Sequence, residues 1–310
     1  MIQKTIQKIK RRFFSKNNHT IVLNLIEELQ AIRKKHETLV LFGSPTEGNW
    51  KGISIATKNL FPDNSIEIPQ WYSNPVLSEK ETLVLLNKIK ELNFEKVIIS
   101  GFANYFFDWI EIIHKEIPID ILYHFTLSEA NNEDVRQSIE KLIDFGKQNK
   151  IKRFGFVKKG LNDVFKTLYN FDSYHQPLNT PTIPDKIEKI KLDKSKIHVG
   201  VFGADTFNKN LHNQVTHALM IENTVIHVLD KTIFLYLDKG ERIIEHGKNL
   251  SREDFLSILG SMDLNLYMSY NESWGLLAYE SEVLGITCLK PEHTDYFSII
   301  NAAIKNIKRT

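Results

Sequence analysis

Glu272 and Glu280 stand eight residues apart around the step Ser273-Trp274-Gly275-Leu276, within the run ESWGLLAYE. At about 1.5 Å per helical residue that spacing spans about 12 Å, roughly the reach from the sugar ring to the ribose of a nucleotide-sugar. Carboxylates accept hydrogen bonds from sugar hydroxyls and repel phosphate. Backbone N–H groups at a helix start between them favour a diphosphate. Upstream, Gly203 ends an apolar run in VGVFGADTFNK, and Lys209 lies where a helix opens. His124 ends another apolar run, ILYH, and Gly48 and Asn49 sit in a glycine-containing loop, GSPTEGNWKG, spanning 43–52. That loop is not a G-x-G-x-x-G fingerprint, so dinucleotide binding is not expected.

The elements that must position these residues alternate in type. Apolar runs at Thr38–Phe42, Lys96–Ser100, Ile119–His124 and Arg153–Val157 predict strands, separated by helical patterns at Ser78–Leu92, Tyr105–Lys115 and Asn132–Gln148. A second series predicts strands at Ile197–Phe202, Val225–Leu229, Ile233–Leu237, Leu264–Met268 and Ile286–Leu289. Helices are expected at Ile53–Leu60, Leu211–Leu219, Arg252–Leu259 and Leu276–Leu284, the last stopped by Gly285. Such alternation argues for an α/β architecture with parallel sheets. The Pro- and charge-rich stretch Asn179–Lys196 is the linker candidate.

The run ESWGLLAYESEVLGITCL resembles the signature of the retaining glycosyltransferases of family 4, roughly E-S-F-G-L-x-x-x-E-A-x-x-x-G-x-P-V. Both acids, the serine, an aromatic, Gly275-Leu276 and Gly285 match, while Ser281 stands for the alanine and Thr287 for the proline. The resemblance implies two Rossmann-like domains facing a central cleft (the GT-B type). An acceptor-side domain would span 1–185 and a donor-binding domain 194–310, the final helix packing back on the first domain. It implies transfer of a hexosyl-type sugar from a nucleoside diphosphate sugar to a hydroxyl acceptor with retention, without metal or cofactor. By the same resemblance Glu272 holds the donor sugar, Glu280 the ribose, and Lys209 the diphosphate. Gly203, Ser273, Trp274, Gly275 and Leu276 would line the nucleotide-sugar site. His124 would contact the transferred sugar, and the Gly48–Asn49 loop would close on donor phosphate or acceptor. The family's arginine ahead of that lysine is here Ala204, with Asp205 beside it. Arg242 and Arg252 are candidate replacements, although Ser251 to Asp254 otherwise reads as a helix cap.

Composition narrows the classes further. The chain has 310 residues, enough for two domains of about 150 each. A net charge of +2 gives no field for nucleic acid. The single cysteine, Cys288, offers no disulfide, fitting a reducing cytoplasm, and is expected to be a buried small hydrophobe. No histidine spacing suggests a metal site, and no apolar run approaches the roughly 18 residues of a membrane span. Residues 1–16 carry six basic side chains, no acid, and Ile2, Ile6, Ile9 and Phe13 on one helical face. Such a segment would bind an anionic membrane surface peripherally, suiting a glycan or lipid-linked acceptor in surface polysaccharide or glycolipid assembly. Two other classes fit the same residues: a non-catalytic partner of an active transferase, for which Ala204 argues, and an epimerase or phosphorylase on the same fold.

Overall fold

The computed structural model describes residues 20–43, 51–69, 77–179, 182–237 and 241–290. The basic segment 1–16, Gly48 and Asn49, and the stretch after residue 290 lie outside them.

The first half folds around six parallel strands: β1 (Thr38–Gly43), β2 (Ser65–Ile68), β3 (Lys96–Ser100), β4 (Ile119–Tyr123), β5 (Arg153–Phe156) and β6 (Ser173–His175). Their order is β2-β1-β3-β4-β5-β6. Helices cover both faces, which is why β1, β3 and β4 read as continuous apolar runs rather than alternating ones. These helices are α1 (residues 20–33), α2 (Lys51–Leu60), α3 (Glu79–Glu91), α4 (Phe106–Ile113), α5 (Glu133–Lys147) and α6 (Leu161–Tyr169). Ser78 and Glu81 close a reciprocal capping box at the start of α3, and Asn132 caps α5. Trp109, Phe106, Phe107 and Phe145 pack edge-to-face or tilted in the core beneath α4 and α5.

The second half carries five parallel strands: β7 (Ile197–Gly200), β8 (Thr224–Val228), β9 (Ile243–Glu245), β10 (Leu264–Leu266) and β11 (Thr287–Leu289), in the order β11-β10-β7-β8-β9. Its helices are α7 (Leu211–Leu219), α8 (Arg252–Leu259) and α9 (Leu276–Val283). Both sheets are doubly wound, and in each the strand order reverses beside its first strand. Ligands sit above such switch points, at the carboxyl ends of the strands. The loops after β7 and β10, carrying Lys209 and Glu272, flank the switch point of the second sheet.

Two expectations need correction. Ile233–Leu237 is not a strand: Thr232–Phe234 is a single 3-10 turn, and Phe234 is buried beneath it. The apolar run reflects one buried face of a turn, and the edge position goes to Ile243–Glu245. Cys288 is half-buried rather than core. The linker is also less free than its composition suggests. Ile183, Ile187, Ile190 and Leu192 pack on the core of Leu256, Leu259 and Met262, and Ser261 Oγ accepts from the Ile190 N–H at 2.9 Å.

A row of three histidines crosses the second sheet. His198 Nδ1 lies 2.8 Å from His227 Nε2, and His227 Nδ1 lies 2.7 Å from His246 Nε2. His198 Nε2 lies 2.9 Å from the Asp193 carbonyl, which only accepts. The neutral chain therefore has one solution, with Nε2–H donating at every ring.

Candidate functional site: two cavities joined at Lys209

Lys209 ends the 3-10 turn Phe207–Lys209 after β7. Asn210, in the left-handed region, donates through Nδ2 to the Met268 carbonyl at 3.0 Å. Gln214 donates to the Lys209 carbonyl at 2.8 Å and accepts from the Met268 N–H at 2.9 Å. These amides tie the turn to the end of β10. The tie brings the Lys209 ammonium 2.8 Å from each carboxylate oxygen of Glu272. Glu272 is 5% exposed, so this cation compensates an otherwise buried charge. Tyr267 completes the cluster. Its hydroxyl bonds to Glu272 and Lys209 lies over its ring at 5.8 Å, while burial and then the Glu272 charge push its pKa well above the ordinary tyrosine value.

Gly275 caps α9 with φ +84, a conformation that a side chain would strain, and so turns the chain from Glu272 into the helix. Gly285, at φ +73, ends the helix as its left-handed stop. One face of α9 is buried, and Glu280 on that face is 1% exposed. Its partner is Arg252, at the start of α8, with Nη2 2.5 Å from Oε1. Burial raises the Glu280 pKa and the Arg252 guanidinium pulls it back down. Ser281, which stands where the resembled pattern has alanine, is satisfied inside: it donates to the Leu277 carbonyl and accepts from Asn265 Nδ2 at 3.1 Å.

Two cavities meet at this cluster. One, of about 950 Å³, lies toward the first domain and is lined by His124, Glu129, Glu272, Ser273, Trp274 and Gly275 among others. The other, of about 600 Å³, is lined mainly by the second domain, by Gly203, Arg252, Glu280, Lys248, Phe255 and Leu250 among others, with Gly52 and Ile55 of the first domain at its edge. Lys209, Ala204, Tyr267, Leu276 and Gly52 line both. Each carboxylate thus owns a cavity, with Lys209 and the start of α9 at the junction. Trp274 is partly buried against Val40, Ile98, Leu122 and Val157 of the first domain.

His124 is 5% exposed, with Nε2 2.9 Å from Ser100 Oγ, which lies 2.7 Å from Thr57 Oγ1. Burial lowers its pKa to about 4, so the ring is neutral at neutral pH.

The structure therefore brings Glu272, Glu280, Lys209, His124, Gly203, Ser273, Trp274, Gly275 and Leu276 around one pair of cavities. Of the two arginines considered as substitutes at Ala204, Arg242 is remote: it donates to the carbonyls of Leu219 and Ile221 behind α7. Arg252 does reach the cavity, where Glu280 engages it. Three lining residues carry no motif and were not assigned from sequence: Tyr267, Lys248 paired with Asp230, and Glu129. Among the described residues no helix is long and apolar enough to cross a membrane. None of their His, Cys, Asp and Glu side chains form a group of three or more placed to hold a metal ion.

No protein-family model matches the chain, and neither does any curated protein. Solved structures do. WaaG, a glycosyltransferase involved in lipopolysaccharide biosynthesis, is 14% identical, with 86% of this chain and 84% of that one covered at a TM-score of 0.54. Sucrose-phosphate synthase from Thermosynechococcus elongatus is 12% identical, with coverages of 84% and 83% and a TM-score of 0.57. Anabaena HepE in complex with UDP-glucose is 10% identical, with coverages of 86% and 90% and a TM-score of 0.54. Two Rossmann-like domains facing a cleft, the GT-B fold of these glycosyltransferases, is the fold of this chain.

Proposed function

We propose that this protein is a glycosyltransferase that moves a sugar from a nucleoside diphosphate sugar to a hydroxyl acceptor. One observation carries the reading: Glu272 and Glu280 each face their own cavity, and Lys209 and the start of α9 occupy the junction between them. A nucleotide-sugar matches that sequence of chemistries. The ribose hydroxyls go to Glu280 in the smaller cavity, the diphosphate goes to Lys209 and the backbone N–H groups of α9, and the sugar goes to Glu272 in the larger one. HepE was solved with UDP-glucose, which makes a uridine donor the first to test.

In the transfer, the bond from the anomeric carbon to the diphosphate oxygen breaks and the charge gathers on the leaving diphosphate. Lys209 and the helix start would stabilise that charge where it develops. Neutral His124 has no charge to set against it and would hydrogen-bond the sugar. Retention of configuration, a hexosyl donor and independence from metal are parts of the proposal that rest on the resemblance of the ESWGLLAYE run. So is a place in surface polysaccharide or glycolipid assembly. A peripheral membrane role for residues 1–16 belongs there too, and salt-dependent co-sedimentation with anionic vesicles, lost on deleting that segment, tests it.

Thermal unfolding with UDP, GDP and ADP and their sugars tests the central claim. Ligand at 100-fold its Kd adds about 2.7 kcal/mol, a shift of a few degrees. No shift with any of them would remove the proposal. The specific observation favouring a second reading, a non-catalytic partner, is that Ala204 lines both cavities where the resembled pattern supplies a cation. Nucleotide binding without transfer or donor hydrolysis would select it.

A further inference from the structure

The larger cavity has a wall that the donor does not need. After β4 the chain passes His124 and forms the 3-10 turn Leu127–Asn131. Ser128 Oγ on this turn lies 2.6 Å from Thr126 Oγ1 and accepts from Asn271 Nδ2 at 3.3 Å. The turn is thereby tethered to the residue immediately before Glu272. Glu129, half-buried on the same turn, lines the larger cavity and is absent from the smaller one. Its carboxylate accepts from the Thr126 N–H and feels the charges of Lys209 and Glu272 across the cavity.

Two amide side chains, Asn104 and Asn132, line the same cavity, with Asp134 beside them. Asn132 Oδ1 accepts from the Asp134 N–H at 2.9 Å, and the Asn104 amide lies 2.6 Å from Ser138 Oγ, for whose single proton the Asp134 carbonyl competes at 2.8 Å. The Asn132 amide is thereby oriented with Nδ2 left to donate. The wall offers amides and two carboxylate acceptors, Glu129 and Asp134, with Phe102 and Phe125 as apolar neighbours. A sugar ring presents the complement, since each hydroxyl both donates and accepts and the ring carries an apolar face. A diphosphate does not, because Glu129 would repel it.

We propose that Glu129 binds the acceptor, and that the acceptor's reacting unit is a sugar lying along the wall of Asn104 and Asn132, opposite Lys209 and Glu272. This rests on the transfer reaction proposed above. Glu129 accepts a hydrogen bond from an acceptor hydroxyl and does not take its proton. The acceptor oxygen bonds to the anomeric carbon, the carbon–diphosphate bond breaks with its electron pair, and the hydroxyl proton leaves with the diphosphate. Burial, the largest influence on Glu129, raises its pKa above the usual carboxylate value, and the Lys209 charge opposes that rise. Protonation of Glu129 turns one of its two accepting oxygens into an O–H donor and leaves the other to accept.

The experiment uses the full chain with UDP-glucose, GDP-mannose and ADP-glucose as donors. Methyl glycosides and disaccharides serve as sugar acceptors, glycerol and hexanol as alcohols without a ring, and UDP binding is measured by calorimetry. Glu129→Ala should raise the acceptor KM at least tenfold, with donor KM within twofold and UDP bound no more weakly. Glu129→Gln keeps one accepting oxygen, so its acceptor KM should lie between the two. It should also lose the rise in acceptor KM that the wild type shows on acidification. Unchanged acceptor KM in Glu129→Ala, or equal losses for donor and acceptor, would overturn the assignment. Transfer to the ringless alcohols alone, or UDP binding without transfer to any sugar, would overturn the sugar acceptor while leaving donor binding intact. Absence of UDP, GDP and ADP binding would instead remove the transferase reading itself, and this inference with it.

Discussion

Lys209 holds Glu272 symmetrically, with Nζ 2.8 Å from both carboxylate oxygens, so the residue assigned to the diphosphate is paired with the residue assigned to the sugar. A diphosphate arriving at the junction competes with Glu272 for the same ammonium.

Replacing Lys209 with alanine leaves Glu272 buried without its cation. A charged hydrogen bond contributes about 1.5–3 kcal/mol, and urea unfolding of Lys209→Ala should show a loss of that order. Glu272→Gln, which removes the charge and keeps the shape, should cost less. Equal stability of Lys209→Ala and wild type would show that the pair contributes nothing measurable.

Glu280 and Arg252 make a sharper test of nucleotide placement. If Glu280 holds the ribose, wild type should prefer UDP over its 2′-deoxy analogue by about tenfold, the worth of about 1.4 kcal/mol. Glu280→Gln should narrow that preference and Glu280→Ala abolish it, as read by calorimetry. A preference that survives in Glu280→Ala places the ribose elsewhere.

Ala204 faces both cavities. Ala204→Arg supplies the cation that the resembled pattern carries, and UDP affinity should rise by about tenfold or more. Asp205 is adjacent, so Ala204→Arg combined with Asp205→Asn should bind more tightly still. Weaker UDP binding in both variants would mean that the second cavity takes the diphosphate without a cation at this position.

Acid should destabilise the protein through two histidines. His124 and His227 are each held at about 4, by burial first and, for His227, by its neighbouring histidines. Between about 6.5 and 4 the unfolded chain binds protons there that the folded chain refuses. Stability therefore rises with pH across that window and falls as pH drops, by up to about 3 kcal/mol for each histidine. Asp120, Glu129 and Glu280, whose burial raises their pKa values, act in the opposite direction. The difference between wild type and His124→Asn isolates the one ring. The stability gap should change by about 3 kcal/mol from pH 7 to pH 4, and a constant gap would refute the assignment.

Much of the arrangement is readable from the chain alone because parallel strands buried on both faces leave long apolar runs. Lys96–Ser100 and Leu211–Leu219 fall where their patterns predict. Ser65–Ile68, Ser173–His175 and Ile243–Glu245 are short, outer strands with polar neighbours, and leave no such run. Ile233–Leu237 misleads for the converse reason, since a turn buries Phe234 as well as a strand would. At the site, the ESWGLLAYE run carries both carboxylates with their spacing. Glu129 and the pairing of Arg252 with Glu280 are invisible in that way. The turn that carries Glu129 is tied through Ser128 to Asn271, 143 residues on, and Arg252 meets Glu280, 28 residues on, so only the folding of β4 and α8 beside the cleft brings them in. A capping serine at 251 gave Arg252 a sufficient local explanation, which hid its place opposite Glu280.

The packing of Ile183, Ile187, Ile190 and Leu192 on α8 decides where the donor half begins as an independent body. A fragment cut at residue 194 would expose Leu256, Leu259 and Met262 and lose the bond from Ile190 N–H to Ser261. One cut before Ile183 would carry its own seal. The strap that joins the two halves is thus stitched to one of them, and the seam lies at its upstream end.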